Sequence, residues 1–434
     1  MNAAVGDEHG RGWLRQGGWA LVDQALFAGT NFLTNVLLAR WLAAPEFGAF
    51  TVGFSVFLLL GTVHTAFLTE PMLVYGARQD AQALRKYFGG LVHLHAGLAA
   101  LGAVGLVGLG AMQWVLGAHS LGGVLGALAL SAPLILLLWL LRRACYVLPR
   151  QRDAAVASSV YLVLTILAIS FLRLADALSG ATAVAAMALA SVPPGVWVAR
   201  RLAISRASLG WSEARAVLAR HVRYARWAAP AALLEWIPTN AYYVLVTLRG
   251  GLDASATLRA LVNLVVPVVH ANAALSTSLI PALARAQTRQ EFWRTFRLGS
   301  VVLGLGALAW LAPVVVFSRP LVGWLYGGRY AADQVTVALV AVFALLTAVV
   351  GAMSAVLRSE ARPERVFWPY ALSAMVTCSV GLWLVLRRGL LGAAAGFALS
   401  WVAVAVVMGL LVIAMKPSTL PRSGHASGIE RSQP

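Results

Sequence analysis

Two carboxylates stand where carboxylates are rarely found. Asp23 and Glu235 interrupt long apolar runs, and an ionised acid at the centre of a bilayer costs about 2.5 to 3.5 kcal/mol on insertion scales. Each therefore needs a partner or a wet cavity. At about 100° per residue, Asp23, Thr30 and Thr34 share a narrow arc of one helix, with Asn31 further round; Glu235 and Thr239 lie one turn apart, followed by Asn240. Such polar faces suit two roles: Asp23 and Glu235 bind a coupling proton or cation, or each is a neutral or paired acid that fixes helix contacts. A third polar stripe combines Arg259, Asn263 and His270, whose spacings bring them back to nearly the same helix direction. Arginine presents a planar, permanently charged fork that matches phosphate oxygens. With Arg40 and Arg249, which close their spans, Arg259 is expected to ring a cavity for an anionic ligand, lined by Asn31, Thr34, Asn240, Asn263 and His270. The alternative for Arg40 and Arg249 is that they snorkel to lipid head groups from helix ends.

The elements that must carry these residues follow from composition. The chain has 434 residues, is 60% hydrophobic and only 12% charged, and its mean hydropathy of +0.78 lies outside the range of soluble domains. Each crossing of a bilayer takes about 20 apolar residues. Apolar runs bounded by arginine, proline and acidic residues predict twelve helices near 19–42, 47–68, 87–116, 121–141, 154–172, 177–199, 225–248, 254–284, 298–317, 334–356, 367–386 and 390–415. The fold expected is an all-α polytopic membrane protein with no large soluble domain.

About three quarters of the 34 Lys and Arg residues fall in the amino terminus, the even-numbered connections and the tail, which by the positive-inside rule makes both termini cytoplasmic. The +18 net charge is thereby a topological signal, and no nucleic-acid partner is expected. The longest connection is rich in arginine and divides the spans six and six: an N-lobe over 1–206, a C-lobe over 207–415 that begins with an interfacial amphipathic stretch, and a disordered tail over 416–434 rich in Ser, Pro and Gly. Thr30, Asn31 and Arg40 recur at one constant offset as Thr239, Asn240 and Arg249, which predicts two lobes related by an axis along the membrane normal. Pro230, Pro238 and Pro267 are expected to kink the helices beside the cavity. Gly122/Gly126 and Gly392/Gly396 have the spacing of close helix approach. Trp41, Trp324, Tyr326 and Tyr330 fit an interfacial aromatic belt. Cys145 and Cys378 are expected to be free thiols, and His64, His93, His95 and His270 are too scattered to predict a metal site. Neither a phosphate loop nor H-E-x-x-H occurs, so no ATPase or metalloprotease activity is expected. No cofactor is expected beyond coupling H+ or Na+.

The stretches Gly18-WALVDQALFAGTNFLTNVLLARWLAAPEFGAF, Ala66-FLTEPMLVYGAR, Leu321-VGWLYGGRYAA, Leu357-RSEARPERV and Leu391-GAAAGFALS resemble bacterial polysaccharide exporters. These are the Wzx-type oligosaccharide flippases of the multidrug/oligosaccharidyl-lipid/polysaccharide (MOP) superfamily, relatives of the MATE drug exporters and lipid II flippases. The resemblance implies two six-helix lobes in a V, with spans one, two, seven and eight lining a central cavity. It implies alternating access that carries an undecaprenyl-diphosphate-linked oligosaccharide across the bacterial inner membrane for polysaccharide or lipopolysaccharide assembly, beside polymerase and export partners. A cation-coupled exporter of the same fold is the alternative, and a membrane-embedded polymerase or ligase a more distant one.

Overall fold

The computed structural model describes residues 2–76, 79–148, 150–204, 211–284, 286, 288–330, 333–359 and 364–415; the connection at 205–210 and the tail at 416–434 lie outside them. Every regular element among these residues is helical. The first set comprises α1 (Asn2–Trp41), α2 (Ala44–His64), a π turn (Thr65–Thr69), α3 (Glu70–Gly76), α4 (Ala81–Val115), α5 (His119–Val147), α6 (Gln151–Leu174) and α7 (Gly180–Arg201). The second comprises α8 (Trp211–Leu245), α9 (Thr247–Ala284), α10 (Arg289–Val316), α11 (Ser318–Tyr326), α12 (Gln334–Ser359), α13 (Glu364–Val376), a second π turn (Thr377–Gly381) and α14 (Leu382–Ile413).

Polar caps and glycines punctuate the apolar runs. Asp80 opens α4 by accepting from the amides of Gln82 and Ala83 at 2.9 Å each, and Ser179 with Thr182 forms a capping box on α7. Gly251 (φ 61°) turns the chain between α8 and the bulk of α9, and Gly389 (φ 57°) bends α14, a conformation that L side chains avoid.

Nine helical stretches are long and apolar enough to cross a membrane among the described residues. The last of them, Phe367–Ile413, has 47 residues, about 70 Å of helix at 1.5 Å per residue, and the Gly389 bend makes it two crossings. Two further helices, α1 and α8, fall outside that set because they carry the polar faces recognised in the sequence. Together these give the twelve crossings that hydropathy predicts.

Helices α1–α7 pack as one bundle and α8–α14 as another, joined along a seam where α2 and α1 meet α8 and α9. Towards lipid the surface is apolar: Leu101 and Val104 on α4 are 70% and 71% exposed, and Leu305 on α10 is 61% exposed. The predicted close approaches occur at Gly122 and Gly396, whereas a side chain at Gly126 would meet nothing within 4 Å. A side chain at Gly122 would stand 2.9 Å from the Gly110 carbonyl of α4, and one at Gly396 2.7 Å from the Tyr242 ring.

Candidate substrate cleft

The seam is sealed at one end, and its other end, near Arg220 and Arg358, is basic. At the sealed end the first turn of α2 lies so close to α9 that a Cβ on Gly48 would overlap the Leu252 carbonyl. Phe47, Phe50 and Phe54 of α2 join Tyr243, Val246 and Leu258 of the other lobe in one buried apolar cluster. The terminal carbonyls of α1, which have no partner inside their own helix, are capped from the opposite lobe: Tyr330 Oη donates to Ala39 at 3.0 Å and Arg329 Nη1 to Leu42 at 2.8 Å. Tyr326 and Tyr330 are therefore buried seam residues and not part of an interfacial belt, whereas Trp324 is 73% exposed as a belt residue should be.

Arg259 sits just inside this seal. Its Nε donates to Asn35 Oδ1 at 2.9 Å across the lobes, and its guanidinium lies 5.1 Å from the Tyr243 ring centre and 5.7 Å from that of Phe54. Asn35 is oriented for this contact because its own amide donates to the Asn31 carbonyl at 2.8 Å. No carboxylate pairs with Arg259 among the described residues. Asn35 was missed in the sequence although it stands one turn beyond Asn31. Thr34 and Asn263 are buried, Asn263 beside Tyr326 and Thr34 Oγ1 with no partner among the described residues. Asn31 is half-buried, Asn240 is buried, and His270, three turns along α9, is exposed towards the basic end.

The expected ring of arginines does not form. Arg40 and Arg249 are both exposed and serve helix-terminal carbonyls, Arg40 Nη1 donating to Trp324 at 3.4 Å and Arg249 Nη1 to Leu386 at 2.5 Å. Leu386 lies one turn before the Gly389 bend, where carbonyls lose their helical partners, so these guanidiniums end helices and do not converge on Arg259.

Asp23 takes the second of the two roles open to it, a paired acid that fixes helix contacts. It faces the interior of the first bundle, fully buried, and not the space between the lobes. Its Oδ1 accepts from Arg142 Nη2 at 2.7 Å, Arg142 Nε at 3.0 Å and Ser158 Oγ at 2.5 Å, while Oδ2 accepts from Tyr146 Oη at 2.7 Å. Arg142 lies 4.0 Å over the Phe27 ring. A buried arginine on α5 needs a carboxylate partner, and that need sets the rotation of α1. Arg142 is a charge inside an apolar run and was visible as such; its pairing was not.

Glu235 does look out of α8 towards the basic end. It hydrogen-bonds Tyr370 and lies within electrostatic reach of Arg358 on α12 and Glu70 on α3. Glu70 in turn accepts from Tyr224 Oη at 3.3 Å. Two acids and one arginine, drawn from both lobes, thus lie within electrostatic reach of one another. Nearby, His221 clasps the lobes: its Nδ1–H donates to the Phe67 carbonyl of the first π turn at 2.7 Å, and its Nε2 accepts from Tyr87 Oη at 2.8 Å. Burial pushes His221 below the ordinary imidazole range, which keeps it neutral and able to accept from Tyr87. On α1, Leu21 and Val22 are 62% and 43% exposed.

No family model matches the sequence, and none of the curated proteins matches it. Solved structures do match over nearly its whole length. The lipid II flippase MurJ in an inward closed conformation is 11% identical and superposes with a TM-score of 0.73 over 92% of this chain and 87% of that one. A multidrug-resistance MATE transporter of the MOP superfamily, inward-facing, is 14% identical with a TM-score of 0.72 over 90% and 97% of the two chains. An outward-facing structure of a MATE transporter of that superfamily gives 15% identity and a TM-score of 0.65 over 90% and 93%. The chain therefore has the fold shared by the MATE and MurJ transporters of the MOP superfamily.

Proposed function

We propose that this protein is a flippase of Wzx type, which moves an undecaprenyl-diphosphate-linked oligosaccharide between the leaflets of a bacterial inner membrane for polysaccharide or lipopolysaccharide assembly. On this reading the basic end and both termini are cytoplasmic, 1–206 and 207–415 are the moving lobes, and the present state receives substrate from the cytoplasmic leaflet. The physical task is to bring a charged, hydrated head group across about 30 Å of hydrocarbon. An open seam lets the polyprenyl tail stay in lipid while the head group travels between the lobes. The observation that carries the reading is Arg259, a seam guanidinium held by Asn35 and two rings with no carboxylate partner among the described residues. Such a cation suits phosphate oxygens. Asn31 and Asn240 are the proposed sugar-facing groups.

One observation favours a second reading, a cation-coupled exporter of small molecules: Glu70 and Glu235 approach one another beside Arg358. Under the flippase reading these acids hold a coupling ion or latch the lobes. The test is deletion of the gene in its host, followed by analysis of lipid-linked intermediates. Accumulation of a complete repeat unit on the cytoplasmic leaflet is expected; unchanged intermediates with new sensitivity to organic cations would overturn the flippase reading in favour of the exporter.

A further inference from the structure

Two histidines 31 residues apart meet inside the first bundle. His64 ends α2 and His95 lies on α4, with His64 Nε2 and His95 Nδ1 2.9 Å apart and the rings edge to face at 5.1 Å between centres. They are 1% and 4% exposed. His95 is also hydrogen-bonded to the Pro133 backbone carbonyl on α5. A carbonyl can only accept, so the remaining nitrogen of His95, Nε2, carries a proton. Its Nδ1 is then an acceptor, and His64 Nε2–H donates to it. This leaves His64 Nδ1 with a lone pair and no partner.

The surroundings isolate that lone pair. Other titratable groups of the first lobe have partners of their own: Glu46 with Ser120 and Gly180, Glu70 with Tyr224, Arg142 with Asp23, Tyr87 with His221, and His93 with the Gly89 carbonyl. The π turn Thr65–Thr69 starts at the next residue, and its Phe67 carbonyl is the one gripped by His221 from the opposite lobe. π turns are local irregularities that concentrate at functional positions, and ionisable residues inside a membrane mark sites by default.

We propose that His64 and His95 form a proton-binding site of the first lobe, filled in the conformation opposite to this one. The proposal rests on alternating access but not on the identity of the substrate. The arriving proton goes to His64 Nδ1, the one free lone pair of the pair. In the present conformation it would become a donor with nothing to accept it, a costly arrangement when buried. A carbonyl freed as the π turn changes register supplies the missing acceptor. By linkage, the conformation that holds the extra proton gains population as pH falls.

The test is made on the full-length protein in lipid nanodiscs without substrate, so that its failure leaves the flippase reading untouched. Spin labels at exposed Ala203 and Arg297, one on each lobe, report the separation of the basic ends, with Cys378 replaced by serine. Between about pH 8 and pH 5 the ratio of the two conformations is expected to change by up to about tenfold per pH unit, the limit for one linked proton. In a His221→Gln background, which removes the clasp's own titration, His64→Asn and His95→Asn should abolish the dependence, while His93→Asn should retain it. In parallel, nitrogen spectra of isotope-labelled histidines should show an imidazolium that is missing from His64→Asn. A pH-independent wild-type ratio, a dependence that survives in His64→Asn, or the absence of that imidazolium would each overturn the proposal. Should His64→Asn fail to fold, the wild-type spectrum and His95→Asn decide the matter.

Discussion

Replacing Gly48 with alanine should shift the protein between conformations without unfolding it. The added Cβ would overlap the Leu252 carbonyl, its carbon and its Cα, and backbone atoms of a helix cannot rotate aside as a side chain can. The two helices must separate at the sealed end. Overpacking of this kind costs about 1 to 3 kcal/mol. Because α2 and α9 belong to different lobes, that cost falls on the conformation in which they touch. The expected result is a roughly 5- to 150-fold shift of the equilibrium towards the state open at that end. Gly53→Ala is the matched control: its Cβ would meet Val124 at 2.5 Å and Leu128 at 3.3 Å, side chains of the same lobe. It should lower the thermal unfolding midpoint by a similar energy and leave the seam alone. The assay is the distance distribution between spin labels at exposed Ala43 and Arg319, on opposite sides of the seal. An unchanged closed population in Gly48→Ala, accompanied by loss of thermal stability like that of Gly53→Ala, would mean that this contact is a fixed part of the core and that the sealed end is not a gate.

Asp23→Asn should cost about 3 to 5 kcal/mol by stranding the buried charge of Arg142, and Asp23→Leu combined with Arg142→Met should recover most of it; thermal unfolding in detergent checks both, and a mild single substitution would favour an exchangeable proton on Asp23 over a fixed ion pair. Arg259→Ala is expected to impair translocation at least tenfold while leaving insertion and fold intact, with Arg259→Lys intermediate because it keeps the charge but loses the fork; reconstituted vesicles with a labelled polyprenyl diphosphate measure this. His221 predicts a pH effect whose sign follows from burial. Its folded value lies below the ordinary one of about 6.5, so the unfolded chain binds more protons and the clasp's stabilisation is full above that pH and declines as pH falls towards the folded value. The gap in thermal midpoint between wild type and His221→Gln should therefore narrow on going from about pH 7.5 to pH 5.5.

Hydropathy settled the number and order of crossings because the cost of placing each residue in lipid sums along the chain and needs no knowledge of neighbours. The stripe of Arg259, Asn263 and His270 was legible for a similar reason, since helical geometry alone puts those residues on one side of α9. Even the polar character of α1 and α8, which keeps them out of the set of strongly apolar helices, was visible in the sequence and marked them as seam elements. Which way a helix turns its polar residues is a different matter, settled by pairing with residues far away in the chain. Asp23 faces inward because Arg142, 119 positions later, carries a charge that must be neutralised. Arg40 and Arg249 leave the cavity because unpartnered carbonyls at helix ends compete for them. The meetings of His64 with His95, of His221 with Phe67 and Tyr87, and of Glu70 with Glu235 and Arg358 have no local signature, because short-range helical preferences are indifferent to them. Only the packing of two bundles, in which each buried polar group must find its partner at hydrogen-bonding distance, decides them.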